Sequence, residues 1–466
     1  MQLSDRAPDL RSGLIIGDFV SRPISGHEGR GARKTATPGV EKSMVNFAEK
    51  GVAGLLRVSE PKAIKKYASF LFAIILGIAT VQKWLLLSST NGGGEIMSTY
   101  IPKTLMLLHG QNPYSTEAWA APYPPFMFIV LGGIIRATTW NTTLAQDPIT
   151  LLARNIRLAG LVADLLVAVL IFLALKTKNK SGLQSILPPA LFLLLPSLGS
   201  ANYYWFHADI FGYLILAASL LAFVKKHMLT GMSLLSLAVI FKLQPILSLP
   251  LISVWMVRNR GFLQTLPSLA SSLGILVAGL VLPLWLPGYL NVIVGFNLSY
   301  GASNGKASFT LMNLFNGVLP ALGVVFSALF VNEAWVAATT ALFAVALGVV
   351  WTRARSLDTV DIVALGLFAW LIPLRTLYPY YLVWVFIPFF FKGSIRQLIV
   401  LAAMFETATT LAVWSWNIPP NPFPEMSSVY GYFTTSLVFA AWSIIGSIFV
   451  LKGLKVQSLS SRHPST

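Results

Sequence analysis

Apolar residues run along this chain in long blocks separated by short charged stretches, and blocks of that kind predict helices that face lipid or are buried on every side. They fall at residues 68–88, 156–175, 185–202, 209–224, 229–242, 245–257, 264–286, 335–351, 359–374, 379–391, 396–415 and 430–451. Several are shorter than the ~20 residues that a helix perpendicular to a bilayer needs. Pro245 breaks one long apolar stretch into a helical hairpin, because proline removes a ladder hydrogen bond. One further block, FMFIVLGGII at 126–135, is about ten residues long and too short to cross.

Composition turns this pattern into a fold class. Of 466 residues, 55% are hydrophobic and 11% charged, with a mean hydropathy of +0.70, whereas soluble proteins carry about 25% charged residues. Too little polar surface exists to coat a globule, so lipid is the expected solvent. The expectation is an all-α membrane protein of about twelve transmembrane helices. Juxtamembrane helices are expected at the outer face in the first outer loop. The chain has no cysteine, which excludes disulfides, thiolate metal sites and cysteine nucleophiles.

The net charge of +17 does not read as nucleic-acid binding, because the cations mark the ends of apolar runs instead of forming a basic domain. Residues 1–66 hold twelve Lys and Arg and no long apolar run. They read as a disordered basic cytoplasmic tail, with a short interfacial helix near Ala63–Lys66, and lack the pattern of a signal peptide. Residues 67–451 form the polytopic domain and 452–466 a C-terminal tail. With the N-terminus inside, the even count of spans leaves both termini cytoplasmic, as expected of a multi-pass protein of the cell membrane. Lys176, Lys178, Lys180, Lys225, Lys226, Arg258, Arg260, Arg353, Arg355, Lys392 and Arg396 then fall inside, as the excess of cations in cytoplasmic loops requires. Counting 126–135 as a span would invert this order, so that block is placed at, or dipping into, the outer face. The long segments 89–155 and 287–334 then lie outside, and function is sought there.

The first outer segment carries the candidate chemistry. Gly92–Gly94 free the backbone beyond the first span, and Glu95 follows at once. The apolar stretch Tyr100–Leu108 is suited to lie flat on the bilayer. Gly110-Gln-Asn-Pro-Tyr114 is a turn, and Tyr123-Pro-Pro125 opens the short block, proline being tolerated in a first helical turn. Downstream lie Ala163-Asp164-Leu-Leu166 in a span, His207-Ala-Asp209 opening the next, Lys242-x-x-Pro245 at the hairpin tip and Arg375-Thr-Leu-Tyr-Pro-Tyr-Tyr381 outside.

In this order the motifs resemble those of the superfamily C glycosyltransferases. The similarity is greatest to polyprenyl-phosphate-mannose-dependent mannosyltransferases, of mycobacterial phosphatidylinositol mannoside assembly and of the GPI mannosyltransferase I type. It covers about residues 68–260 and extends weakly beyond. The resemblance implies a GT-C-like fold and the inverting transfer of a hexose, mannose by preference. The donor is a polyprenyl-phosphate sugar, and a lipid-linked or glycan acceptor receives it on the outer face. Neither a metal nor a cofactor is implied. It also implies that Glu95, where the family usually carries Asp, is the general base, with Asp209 near the donor phosphate or acceptor as a second acid. Lys242, Arg375 and His207 are the candidate phosphate ligands. Asn112, Tyr114 and Tyr123 form the candidate substrate loop.

Plainer readings stand beside these. Asp209 at a helix N-terminus is a favourable dipole partner, and Lys242 and Lys83 can snorkel to the interface. Asp164 and Glu406, inside spans, are expected to pair with polar groups on neighbouring helices. The rival functions are a secondary transporter and a non-catalytic subunit of glycolipid assembly. No internal repeat of the transporter kind is evident.

Overall fold

The computed structural model of the protein describes residues 62–88, 96–115, 123–138, 148–180, 182–199, 208–291, 328–372, 379–415, 437–438 and 441–450. The chain divides into two units, Met1–Ser59 and Glu60–Thr466, and every described residue lies in the second. Of the expected tails, 1–61 and 452–466 fall outside the described residues. Among the described residues there is no strand.

The helices follow the apolar blocks. They are α1 (Lys62–Ser88), α2 (Ile101–Leu108, entered through a π turn at Ile96–Tyr100), α3 (Pro125–Thr138), α4 (Pro148–Thr177), α5 (Leu183–Leu194), α6 (Asp209–Val224), α7 (Met228–Phe241), α8 (Ser248–Arg260), α9 (Phe262–Leu276), α10 (Ala328–Arg353), α11 (Thr359–Leu371), α12 (Pro379–Lys392), α13 (Ile395–Ser415) and α14 (Ala441–Val450). Among the described residues, four stretches are long and apolar enough to cross a membrane: Lys66–Ser88, Ile149–Thr177, Phe262–Trp285 and Val336–Ser356. Shorter apolar helices occupy other expected spans, among them α5, α6, α7 and α11. Helix α3 has fourteen residues, a rise of roughly 21 Å, against a hydrocarbon core of about 30 Å.

Burial separates an inner layer from an outer one. In Ile149–Thr177 56% of the most apolar window is buried, against 22% in Lys66–Ser88, 22% in Phe262–Trp285 and 11% in Val336–Ser356. Helix α4 is therefore central, while α1, α9 and α10 present apolar sides outward. The core between them is aliphatic and aromatic, with Trp384, Trp442, Phe386, Phe390 and Tyr213 fully buried. Helix α2 packs on α3, where a Cβ at Gly132 would lie 3.1 Å from Leu108 Cδ2. Its Ile101, Lys103 and Thr104 are buried. The stretch expected to lie flat thus turns one face to protein.

Several helices are more broken than the blocks suggested. The span expected at 185–202 stops at Leu194, Leu195 is extended, and Pro196 opens a separate turn, Pro196–Gly199. Proline disfavours helical backbone in the residue before it. The Ser197 N–H and Oγ, left without helical partners, donate to the Glu406 carboxylate at 3.1 and 2.6 Å. Helix α1 is kinked at Tyr67 (φ −102°, ψ 15°), which sets off the turn Lys62–Lys66 from the spanning part. Helix α9 passes into a π turn, Val277–Val281, and a 3-10 turn, Leu282–Trp285.

Side-chain contacts sort the helix ends into two groups. At one end Lys178 pairs with Asp358 (2.8 Å), Lys392 with Asp361 (2.6 Å), and Asn259 Nδ2 donates to Ala354 O (3.1 Å). At the other, Asn112 Nδ2 donates to Pro287 O (2.8 Å) and Lys242 meets Asp209 (2.6 Å). The first group joins loops assigned to one side of a membrane by their cations, and the second joins loops assigned to the other.

Candidate functional site

The hairpin of α6 and α7 builds the site. The two helices have sixteen and fourteen residues, rises of roughly 24 and 21 Å, so the start of one and the end of the other return to one level. The turn between them is tight. Lys226 adopts φ 65° and His227 N–H bonds Ala222 O at 2.9 Å. A Cβ at Gly231 would lie 2.5 Å from the Phe223 ring, and Ser219 Oγ donates to Gly231 O at 2.7 Å. The glycine lets the helices close. Asp209 is the first residue of α6, and Lys242 follows the last residue of α7 in extended backbone (φ −155°, ψ 132°), just before Pro245 restarts the chain as a 3-10 turn.

At that level Lys242 Nζ lies 2.6 Å from Asp209 Oδ2, and Trp384 Nε1 donates to Asp209 Oδ1 at 2.8 Å. Both carboxylate oxygens are engaged. The Lys242 ammonium also stands 5.3 Å from the centre of the Tyr123 ring and 4.8 Å from that of Tyr381, within range of cation–π attraction. Asp209 is 2% exposed and Lys242 5%. Lys242 therefore does not snorkel. A counter-charge and two ring faces hold its head inside, where an unpaired ammonium would be costly.

Tyrosines extend the wall. Tyr100 Oη and Tyr123 Oη are 3.3 Å apart, and Tyr213 packs edge-on to Trp384 with centroids 5.1 Å apart. Gly212 makes that packing possible, since a Cβ there would fall 2.5 Å from Trp384 Cη2. The spacing is one helical turn, so the residue after which α6 can admit an indole is set three positions beyond the acid that the indole binds.

The remaining loop residues brace this wall. Tyr114 Oη donates to Tyr123 O at 2.8 Å, and Asn112 accepts from Tyr114 N–H at 2.9 Å while donating to Pro287 O. Gly288, at φ +82°, lies so close to Tyr114 O that a Cβ would stand 2.6 Å from it. The Tyr114 and Tyr289 rings meet edge-on at 5.1 Å. Burial pushes the Tyr289 hydroxyl up to about 12 and that of Tyr114 well above the ordinary range, with Tyr289 adding to the latter. Both stay neutral donors at physiological pH.

Of the residues singled out in the sequence, the structure thus brings together Asp209, Lys242 and Tyr123, with Asn112 and Tyr114 directly behind. Glu95, His207 and Arg375 lie outside the described residues. Sequence reasoning missed Trp384, Tyr100 and Tyr213, and it had Tyr381 only as the end of an aromatic motif. Gly212 was the available signal, a small residue one turn into an otherwise bulky helix. It also placed Lys83 at the interface. Instead Lys83 is 1% exposed and paired with Asp164, 0% exposed, because the mid-span carboxylate on α4 draws the ammonium inward. Asp164 and Glu406 do pair across helices, as expected. Among the described residues no group of three or more His, Cys, Asp or Glu could hold a metal ion. The chain matches no protein-family model and no curated protein sequence.

Proposed function

We propose that the protein is a GT-C-like glycosyltransferase of about twelve spans that moves a hexose, mannose by preference, from a polyprenyl-phosphate donor to a lipid-linked or glycan acceptor at the outer face. The observation that carries this reading is the Lys242–Asp209 pair, walled by Tyr123, Tyr381 and Trp384. Three separately placed motifs, the Y-P-P, the H-A-D and the K-x-x-P, supply its parts at one end of the bundle.

The chemistry assigns each residue a task. The acceptor hydroxyl attacks the anomeric carbon as the bond from that carbon to the phosphate oxygen breaks. Its proton passes to the Glu95 carboxylate, and the lipid phosphate leaves with the bonding electrons. Inversion follows from the single displacement. Lys242 balances the charge that collects on the departing phosphate. Asp209, with both oxygens already accepting, serves to hold the ammonium until the phosphate arrives. Tyr123 and Tyr381 supply ring faces of the kind that pack on sugars. Gln244 Oε1, two residues beyond Lys242, is buried without a hydrogen-bond partner among the described residues. Such an acceptor suits a sugar hydroxyl.

Purified protein incubated with a panel of radiolabelled polyprenyl-phosphate sugars and a host lipid extract tests the reading. The expected result is transfer from one donor, reduced 10²–10⁴-fold in Glu95→Gln, as loss of a general base typically requires. Absence of transfer from every donor would sink it.

One observation favours a second reading. The buried Lys83–Asp164 pair is the kind of intramembrane charge couple that transporters use. A transporter would lose its activity when that pair is replaced by apolar residues, whereas glycosyl transfer would persist.

A further inference from the structure

In four ion pairs a lysine meets an aspartate: Lys83 and Asp164, Lys178 and Asp358, Lys242 and Asp209, and Lys392 and Asp361. At the end of the bundle opposite the candidate site, both described aspartates are taken by lysines from other helices. Arg258, Arg260, Arg353 and Arg355 receive none of the described carboxylates.

These four arginines lie at two adjoining helix ends. Arg258 and Arg260 close α8, Arg353 closes α10 and Arg355 follows it. The two helix ends are stitched together. Asn259 Nδ2 donates to Ala354 O at 3.1 Å, Trp255 Nε1 donates to Leu357 O at 3.2 Å, and the Arg258 guanidinium stacks 4.5 Å from the Trp351 ring. All four guanidinium-bearing residues are exposed, and no described carboxylate bonds any of them. Helix dipoles account for part of this charge. Each helix C-terminus carries roughly −0.5 of an elementary charge, so two ends offset about one of the four positive charges.

The surroundings say what should balance the rest. Phe262 and Leu263, the first residues of α9, are 58% and 80% exposed, and Trp351 is 53% exposed. They sit at the ends of Phe262–Trp285 and Val336–Ser356, the two long apolar helices that open their sides outward most together with α1. Cations with exposed aromatic and aliphatic side chains at the end of lipid-facing helices match a headgroup level, where a charged phosphate meets acyl chain. Water-soluble anions need no such apolar flank.

We propose that the junction of α8 and α10 is a binding site for an anionic glycerophospholipid. Arg258, Arg260, Arg353 and Arg355 grip the headgroup phosphate, and Phe262 and Trp351 pack on its glycerol and proximal acyl carbons. Arginine suits this task because its planar fork meets phosphate oxygens two at a time. The site stands whether or not the glycosyl-transfer reading holds.

Native mass spectrometry of the full-length protein tests it, with phosphatidylglycerol and phosphatidylcholine added in equal amounts. The wild type should retain phosphatidylglycerol in preference. Loss of a direct charge-assisted contact weakens binding roughly tenfold or more, so R258Q/R260Q and, separately, R353Q/R355Q should each weaken retention by about that much. The two pairs lie on different helices and all four side chains are exposed, so unfolding of one variant leaves the other to report. K225Q/K226Q, at the turn between α6 and α7 on the same end, should change retention less than twofold. Millimolar inorganic phosphate should not displace the lipid. No preference in the wild type, an equal loss in K225Q/K226Q, or displacement by inorganic phosphate would overturn the proposal.

Discussion

The pairs Lys242–Asp209 and Lys178–Asp358 join the same two residue types at nearly the same distance, 2.6 and 2.8 Å, at opposite ends of one bundle. Their surroundings differ. The side chains of the first are 7% and 1% exposed and meet two tyrosine rings and an indole N–H, whereas those of the second are 22% and 37% exposed. Water can replace either partner in the second pair. In the first, burial keeps water from taking the place of either partner. The same chemistry is thus a surface staple in one place and a poised charge in the other, and burial with aromatic walls makes the difference.

Removing one partner should therefore expose the contrast most sharply. Asp209→Ala strands the Lys242 ammonium in a buried site, and breaking a buried pair costs about 3–5 kcal/mol. Asp358→Ala should cost no more than about 1 kcal/mol, as for pairs open to solvent. Chemical unfolding in detergent measures both. Equal losses would erase the distinction.

Lys83–Asp164 lies at the buried extreme, between α1 and α4. Lys83→Met and Asp164→Leu should each cost about 3–5 kcal/mol, yet the double replacement should be close to neutral, since apolar residues of similar volume often substitute for a buried pair without loss. A double-mutant cycle in the same assay checks this. A double variant as unstable as the singles would mean that the charges meet other demands, and abolition of sugar transfer with stability intact would mean that the pair also serves the transfer reaction.

The aromatic wall predicts a smaller effect. Gly212→Ala puts a methyl against the Trp384 indole and should cost about 1–3 kcal/mol by overpacking, partly relieved when Trp384→Phe is added. Absence of such relief would place the strain elsewhere.

The smallest effect is a pH dependence at the open pair. Burial alone would raise the Asp358 carboxyl, but the Lys178 charge and hydrogen bonds from Lys178, Thr359 and the Val360 backbone outweigh it and hold the group below its ordinary 3.8. A group lowered in the folded state stabilises the protein above its unfolded value and loses that contribution as pH falls through its folded value. Acidification from pH 5 to below about pH 3.8 should thus destabilise wild type slightly more than Asp358→Asn, by at most about 1 kcal/mol. Parallel acid curves would count against the pair.

How much of this was legible in the sequence follows from the range of each signal. Helix positions were, because burial in lipid writes itself as contiguous apolar blocks; the bounds of α6 fall at Asp209 and Val224, where the charges begin and end. The pairing of Asp209 with Lys242 was half legible. Both were picked as candidates, and a hairpin of two nearly equal helices had to bring them level, but nothing local said that the lysine would turn inward. Trp384 lies 175 residues from Asp209, and its indole is one of many aromatic positions in a bulky helix, so only tertiary packing reveals it. Lys83 was misplaced because snorkelling is a local argument and its partner sits 81 residues away. The break after Leu194 was written in Pro196 and outweighed by the apolar run around it.

The most direct measurement compares Lys242→Gln with Lys178→Gln in the transfer of radiolabelled hexose from its polyprenyl phosphate, at varied donor and fixed acceptor. Loss of a charge-assisted contact costs about 1.5–3 kcal/mol. The account therefore predicts that donor efficiency falls roughly tenfold or more in Lys242→Gln, with little change in acceptor dependence, and is unaltered in Lys178→Gln. Wild-type donor kinetics in a folded Lys242→Gln protein, or equal losses in the two variants, would contradict it.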